Sequence, residues 1–78
     1  MKPTLEAIKT IVKLQLGLPD VSAEADLFGE LALESVDLLN IIAVIEENYD
    51  VDIEEEAIVT VTTVRDIYEL TIATYRDS

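Results

Sequence analysis

Apolar residues recur at Leu5, Ile8, Val12 and Leu16, with Ile11 widening the stripe, which is the spacing of one helical face. Gly17 stands where a left-handed residue closes a helix, and Pro19 forbids continuation. A second helix is predicted over Ser35–Tyr49, where Leu38, Ile41, Ile42, Ile45 and Tyr49 make a broad apolar face. Asp37, Asn40, Glu47 and Asn48 form only a narrow polar wedge, with Val44 inside it and Val36 and Ala43 on its border. One buried face does not need that much apolar surface. Either this helix is central or its outer side meets a partner.

Between these helices, residues 18–33 form a long connection broken by Pro19 and Gly29. It carries Leu18, Val21, Leu27, Phe28, Leu31 and Leu33, so it is expected to lie across the bundle rather than in solvent. The run from Ile58 to Thr63 is β-branched and has strand propensity, but its sole local partner is Val51-Asp52-Ile53, and an isolated hairpin is marginal. A short helical turn over residues 55–59 followed by a connector is the better fit. A last helix opens after Thr63, with Asp66 at the capping-box position and Val64, Ile67, Tyr68, Thr71, Ile72 and Tyr75 on one face. The expected fold is all-α: a small bundle of three main helices and one short one, in a single domain spanning residues 1–78.

Composition removes most chemistry. There is no Cys and no His, so there is no thiol nucleophile, no thiolate metal site and no imidazole base. Seventeen acids face five bases, for a net charge of −12, which argues against a nucleic-acid backbone or an anionic membrane surface as partner. The apolar cluster over residues 38–45 is broken by Asn40 and falls far short of the ~20 residues of a membrane span. The first six residues lack the apolar stretch of a secretory signal, so a soluble, cytoplasmic chain is expected. A calcium loop counted from Asp50 would need Gly at position 55 and Glu at position 61, where Glu55 and Val61 stand. No dedicated metal site is expected.

The segment around Ser35 is the informative one. A serine opening a long helix reads first as an N-cap, accepting the free N–H groups of the first turn. The alternative is an attachment point, where a phosphoester would sit in the positive field of the helix N-terminus with no catalytic neighbour to attack it.

The wider pattern resembles the acyl carrier protein family. The resemblance runs through Asp26-Leu27-Phe28, Glu34-Ser35-Val36-Asp37, Glu46-Glu47-Asn48-Tyr49-Asp50-Val51-Asp52-Ile53 and Val61-Thr62-Thr63-Val64, close to the full chain. It implies that Ser35 carries 4′-phosphopantetheine, whose thiol holds acyl groups as thioesters for fatty-acid or related biosynthetic enzymes. The chain would then be a carrier and not itself an enzyme. Glu34-Ser35-Val36 departs from the family's usual Asp-Ser-Leu, and Asn40 stands where many members carry Glu, which favours a specialised carrier of lipid or polyketide intermediates over a housekeeping one.

Charge geometry adds a docking face. Residues 14–64 hold thirteen acids and no Lys or Arg, and Glu34, Asp37, Glu46 and Glu47 gather beside Ser35. The resemblance implies that this helix meets Arg/Lys patches on a phosphopantetheinyl transferase and on acyl-processing enzymes, with Val36, Ala43 and Val44 adding modest apolar contact. Small, salt-sensitive contacts suit a monomeric carrier that must be released quickly. The acyl chain is expected between the second helix and the segment after it, lined by Phe28, Leu39, Ile42, Ile45, Ile53, Ile58 and Val61, residues that would serve equally as ordinary core. The rival reading is an unmodified acidic helical adaptor that binds a basic protein partner.

Overall fold

The computed structural model describes residues 2–77; Met1 and Ser78, the two ends of the expected domain, lie outside the described residues. Helix α1 (Leu5–Leu16) is opened by Thr4, whose hydroxyl accepts the Ala7 N–H at 3.1 Å. It is closed by Gly17 at φ 68°, the left-handed conformation that glycine adopts without a Cβ penalty. Helix α2 (Ser35–Tyr49), the four-residue α3 (Glu55–Ile58) and α4 (Val64–Asp77) follow. The described residues contain no strand, in agreement with the all-α expectation, and the β-branched run resolves into the end of α3 and a connector.

Helix α1 packs on both α2 and α4. Ile8 and Val12 of α1, Ile41 and Ile45 of α2, and Val64 and Ile67 of α4 are all fully buried. Thr71 joins them because its hydroxyl donates to the Ile67 carbonyl at 2.7 Å, leaving no orphaned polar group.

The long α1–α2 loop is part of the core, as its apolar content requires. Val21, Ala25, Leu27 and Leu33 are buried in it, and full burial of a leucine such as Leu27 contributes about 1.5–3 kcal/mol. Backbone bonds hold it against the α3–α4 connector. The Leu27 N–H donates to the Thr62 carbonyl at 2.9 Å, the Arg65 N–H donates to the Ala23 carbonyl at 2.8 Å, and Asp26 bridges to Thr63. Arg65 also pairs with Glu24 across the same seam. This seam brings the segment that follows Leu27 to the side of the bundle where α2 starts and α3 ends.

The connector is fixed from the α4 side. The Asp66 carboxylate accepts the Thr62 N–H at 3.0 Å, the Thr62 hydroxyl at 2.9 Å and the Thr63 N–H at 3.1 Å. The Thr63 hydroxyl returns the contact by accepting the Asp66 N–H at 3.1 Å, which completes the expected capping box.

Candidate functional site

Ser35 is the first residue of α2, one position inside the cap. The cap is Glu34, in extended backbone, and its carbonyl accepts the Asp37 N–H at 3.0 Å and the Leu38 N–H at 3.2 Å. Asp37 fixes this register by accepting the Glu34 N–H on its carboxylate at 2.9 Å. The N-cap reading of Ser35 is therefore corrected: Asp37 reaches back three residues to Glu34, which displaces the cap by one position. The Ser35 side chain is exposed and, among the described residues, its hydroxyl has no hydrogen-bond partner. A serine hydroxyl left free at a helix start is not there for capping.

Its surroundings suit an attached anion. As first-turn residues, Ser35 and Val36 have no intrahelical acceptor for their N–H groups, and the positive end of the helix dipole lies at the same place. The approach to the serine is tightly shaped. Ala32 sits at φ 54°, unusual for a residue with a Cβ, and the Leu33 N–H donates to the Leu27 carbonyl at 2.9 Å. Asp26 organises the turn before it. Its carboxylate accepts the Phe28 N–H at 3.1 Å, and its carbonyl accepts the Glu30 and Leu31 N–H groups. A Cβ on Gly29 would collide with the Asp26 carboxylate, which would have to shift to make room for it.

Beside Ser35 lies a cavity of about 410 Å³, lined by Phe28, Ser35, Leu38, Leu39, Glu55, Ile58 and Val59. Of the seven residues expected around an acyl chain, the structure brings Phe28, Leu39 and Ile58 to this cavity. Ile42, Ile45, Ile53 and Val61 are instead packed in the core, each at most 4% exposed, and none of them lines it. The physical reason is that α2 turns those two isoleucines toward the bundle interior, and α1 packs on that helix. Leu38, Glu55 and Val59 were missed. Val59 is 83% exposed and follows a helix too short to have a periodic face, so the sequence held no signal for it.

The expected docking residues separate into two groups. Glu34, Val36, Ala43 and Glu47 are exposed, while Asp37, Val44 and Glu46 are half-buried. Asp37 is engaged with Glu34, and one Glu46 oxygen accepts the Ile53 N–H at 2.8 Å. These two acids build the fold as well as the surface. Among the described residues, no group of three or more His, Cys, Asp or Glu is placed to hold a metal ion, and no helix is long and apolar enough to cross a membrane.

Comparison with known proteins follows the same lines. The family model described as a phosphopantetheine attachment site matches residues 6–71. The chain is 38% identical over 69 residues to the chloroplastic acyl carrier protein 1 of Casuarina glauca, a match that covers 86% of this chain and 51% of that protein. It thus spans about half the length of that plant relative. It is 30% identical over 73 residues to an acyl carrier protein of Saccharopolyspora erythraea, covering 91% of this chain and 77% of the relative. The solution structure of oxytetracycline acyl carrier protein is similar in fold, with a TM-score of 0.78, 27% identity, and coverage of 99% of this chain and 86% of that one. Sequence, fold and the matched region agree that the chain belongs to the acyl carrier protein family, whose members bear a covalent 4′-phosphopantetheine.

Proposed function

We propose that Ser35 is the residue that bears the 4′-phosphopantetheine of this acyl carrier chain. The observation that carries the reading is the free, exposed Ser35 hydroxyl at the first position of α2. The residues fit the group. The hydroxyl is unengaged, the helix start favours a phosphate, and the neighbouring cavity is apolar. When attached, the arm supplies the thiol that a chain without Cys lacks, and with it the capacity to hold acyl groups as thioesters.

The chain's own residues then do three things. Asp37, through Glu34, fixes where α2 begins and so where the hydroxyl stands. The absence of His and Cys from the sequence leaves a carried thioester without the usual general base or nucleophile to attack it, so the chain acts as a carrier and not as a catalyst. Glu34 and Glu47, exposed beside Val36 and Ala43, offer a charged rim with a small apolar centre to a basic patch on a phosphopantetheinyl transferase or an acyl-processing enzyme. The protein works as a monomer, since small transient contacts suit a shuttle better than a permanent interface. A free cofactor thiol is kept reduced in the cytoplasm, where we place it. The departures Glu34, Val36 and Asn40 support a specialised carrier of lipid or polyketide intermediates.

The test is the intact mass after incubation with coenzyme A and a phosphopantetheinyl transferase. A carrier gains the mass of one phosphopantetheine. An acidic adaptor, which would use the same exposed rim to bind a basic partner, gains nothing.

A further inference from the structure

Among the described residues five large hydrophobics are well exposed, and four belong to the surroundings of Ser35. Phe28, Leu39 and Val59 line the groove beside it, and Val36 follows it in α2. Leu14 stands apart, 76% exposed on α1 and outside that lining. A single exposed leucine is ordinary. Its neighbours distinguish this one. Ile8 and Val12, fully buried, turn one side of α1 inward. Ala7, Ile11 and Leu14, at i, i+4 and i+7, run along one flank of the outward side, the first two half-buried and Leu14 exposed. Lys9 and Lys13 run along the other flank, with Glu6 and Thr10 between the two.

Charge sets this side against the rest of the molecule. Residues 2–19 hold three lysines and one acid, Glu6, whereas residues 20–64 hold thirteen acids and no base. The fold makes little use of these lysines. Lys9 meets Glu6 at 3.7 Å in a surface pair of the kind that contributes little. Among the described residues neither Lys2 nor Lys13 has an ion-pair partner, although the chain has seventeen acids. Lys13, in the last turn, suits the negative end of the helix dipole, but Lys2 precedes α1, at the end where a cation is disfavoured.

We propose that the outward side of α1 is a second docking surface, and that it takes an acidic amphipathic helix of a partner protein. Apolar side chains of that helix would lie along Ala7, Ile11 and Leu14, and its acids would face Lys9 and Lys13, the pattern by which a helix is read at i, i+4 and i+7. The sign of the charge selects the partner. A basic patch suited to Glu34 and Glu47 on α2 is repelled by these lysines, and an acidic helix suited to α1 is repelled by the α2 rim. A second copy of the chain fits less well, because two bodies of net charge −12 repel each other on approach, and a short acidic helix brings far less charge. None of the α1 residues belongs to the groove or to the acidic rim, so a carrier held through α1 keeps Ser35 free for its enzymes. The inference does not depend on what Ser35 bears.

The experiment titrates the ¹⁵N-labelled full chain with two synthetic helical peptides that share leucines at i, i+4 and i+7, one with Glu and one with Lys at the polar positions. Amide shifts report where each binds. The Glu peptide should move Ala7, Thr10, Ile11 and Leu14 and leave Val36, Ala43 and Glu47 in place, with the pattern reversed for the Lys peptide. Binding on α1 should weaken as salt shortens the Debye length to about 10 Å at 0.1 M and below that at higher salt. Leu14→Ser, at a position already 76% exposed, should fold normally, bind the Glu peptide several-fold more weakly and load at Ser35 at the parent's rate. The double variant Lys9→Glu, Lys13→Glu should lose most of the binding. No shift on α1 with the Glu peptide, or equal shifts there with both peptides, would overturn the proposal. So would α1 shifts that appear on concentrating the chain alone, which would seat a second copy there, or that appear with phosphatidylglycerol vesicles and not with the peptide.

Discussion

Glu46 and Ile53 are joined by a hydrogen bond in which one carboxylate oxygen of Glu46, on α2, accepts the Ile53 N–H at 2.8 Å. The same residue's carbonyl accepts the Val51 N–H at 3.2 Å and the N–H of Asp50, which ends the helix at φ 53°. Glu46 thus holds the reversal that leads from α2 to α3 and sets where Ile58 and Val59 meet the groove. An acid on the docking helix is here a structural clamp.

The clamp can be separated from the charge. Glu46→Ala leaves a partly buried N–H without its acceptor and should cost about 1–2 kcal/mol in urea unfolding. Glu46→Gln removes the charge but keeps an acceptor oxygen, and should cost less than half as much. Equal losses in both variants would mean that charge, and not the bond to Ile53, is what matters at this position.

Ala32 offers a stabilising change. Its φ of 54° puts a Cβ in the left-handed region, which costs about 1–2 kcal/mol relative to glycine. Glycine gives back about 0.4–1 kcal/mol through its freer unfolded state. Ala32→Gly should therefore raise stability by about 0.5–1 kcal/mol, seen as a higher urea midpoint at unchanged slope. A lower midpoint would show that Ala32 is held there without strain.

The bonds from Thr62, the backbone N–H first and the hydroxyl second, hold the Asp66 carboxyl below the usual carboxylate range, with Thr63 adding to them against the opposing effect of burial. The unfolded chain, with an ordinary Asp near ~3.9, binds the proton more readily in that window. The stabilisation is thus fully present above about pH 4 and is lost as pH falls through the lower folded value. Asp66→Asn should flatten the fall of stability with acid below about pH 4, measured by thermal melts from pH 5 to pH 2. A slope identical to the parent's would remove Asp66 from the acid response.

The helices were legible in the sequence because each carries its own period and punctuation. Leu5 to Leu16 with Gly17, and Thr63 with Asp66, define their elements locally. Ser35 stood out by its place at a helix start, although its capping role passed to Glu34 through Asp37, a choice that depends on side-chain reach rather than on residue type. The groove was legible only in part. Periodicity marks Ile42 and Ile45 as buried but cannot distinguish a wall that faces a cavity from one that faces another helix. Leu38 of α2 and Val59 after α3 line the same cavity although they are far apart in the chain, and the seam of Leu27 with Thr62 and of Arg65 with Ala23 shows a long-range register of loop against connector that no local pattern encodes.

Docking through the acidic rim predicts a salt signature. Glu47 is exposed, and no hydrogen bond of its side chain to another described residue holds the fold. Glu47→Lys should slow loading by a phosphopantetheinyl transferase several-fold at low ionic strength. The defect should shrink as salt shortens the Debye length to ~10 Å at 0.1 M and below that at higher salt. Loading rates measured across a NaCl series at fixed enzyme concentration test this. A defect of constant size would point to shape instead of charge.

The attachment at Ser35 is tested most directly by intact mass spectrometry of the parent chain and Ser35→Ala, each incubated with coenzyme A and a phosphopantetheinyl transferase. The hydroxyl makes no hydrogen bond among the described residues, so the substitution should change stability by no more than about 0.5 kcal/mol, and the far-UV circular dichroism should stay helical. The parent should gain one phosphopantetheine and the variant none. A folded Ser35→Ala that still gains the group would contradict the assignment, and so would a parent chain that gains nothing.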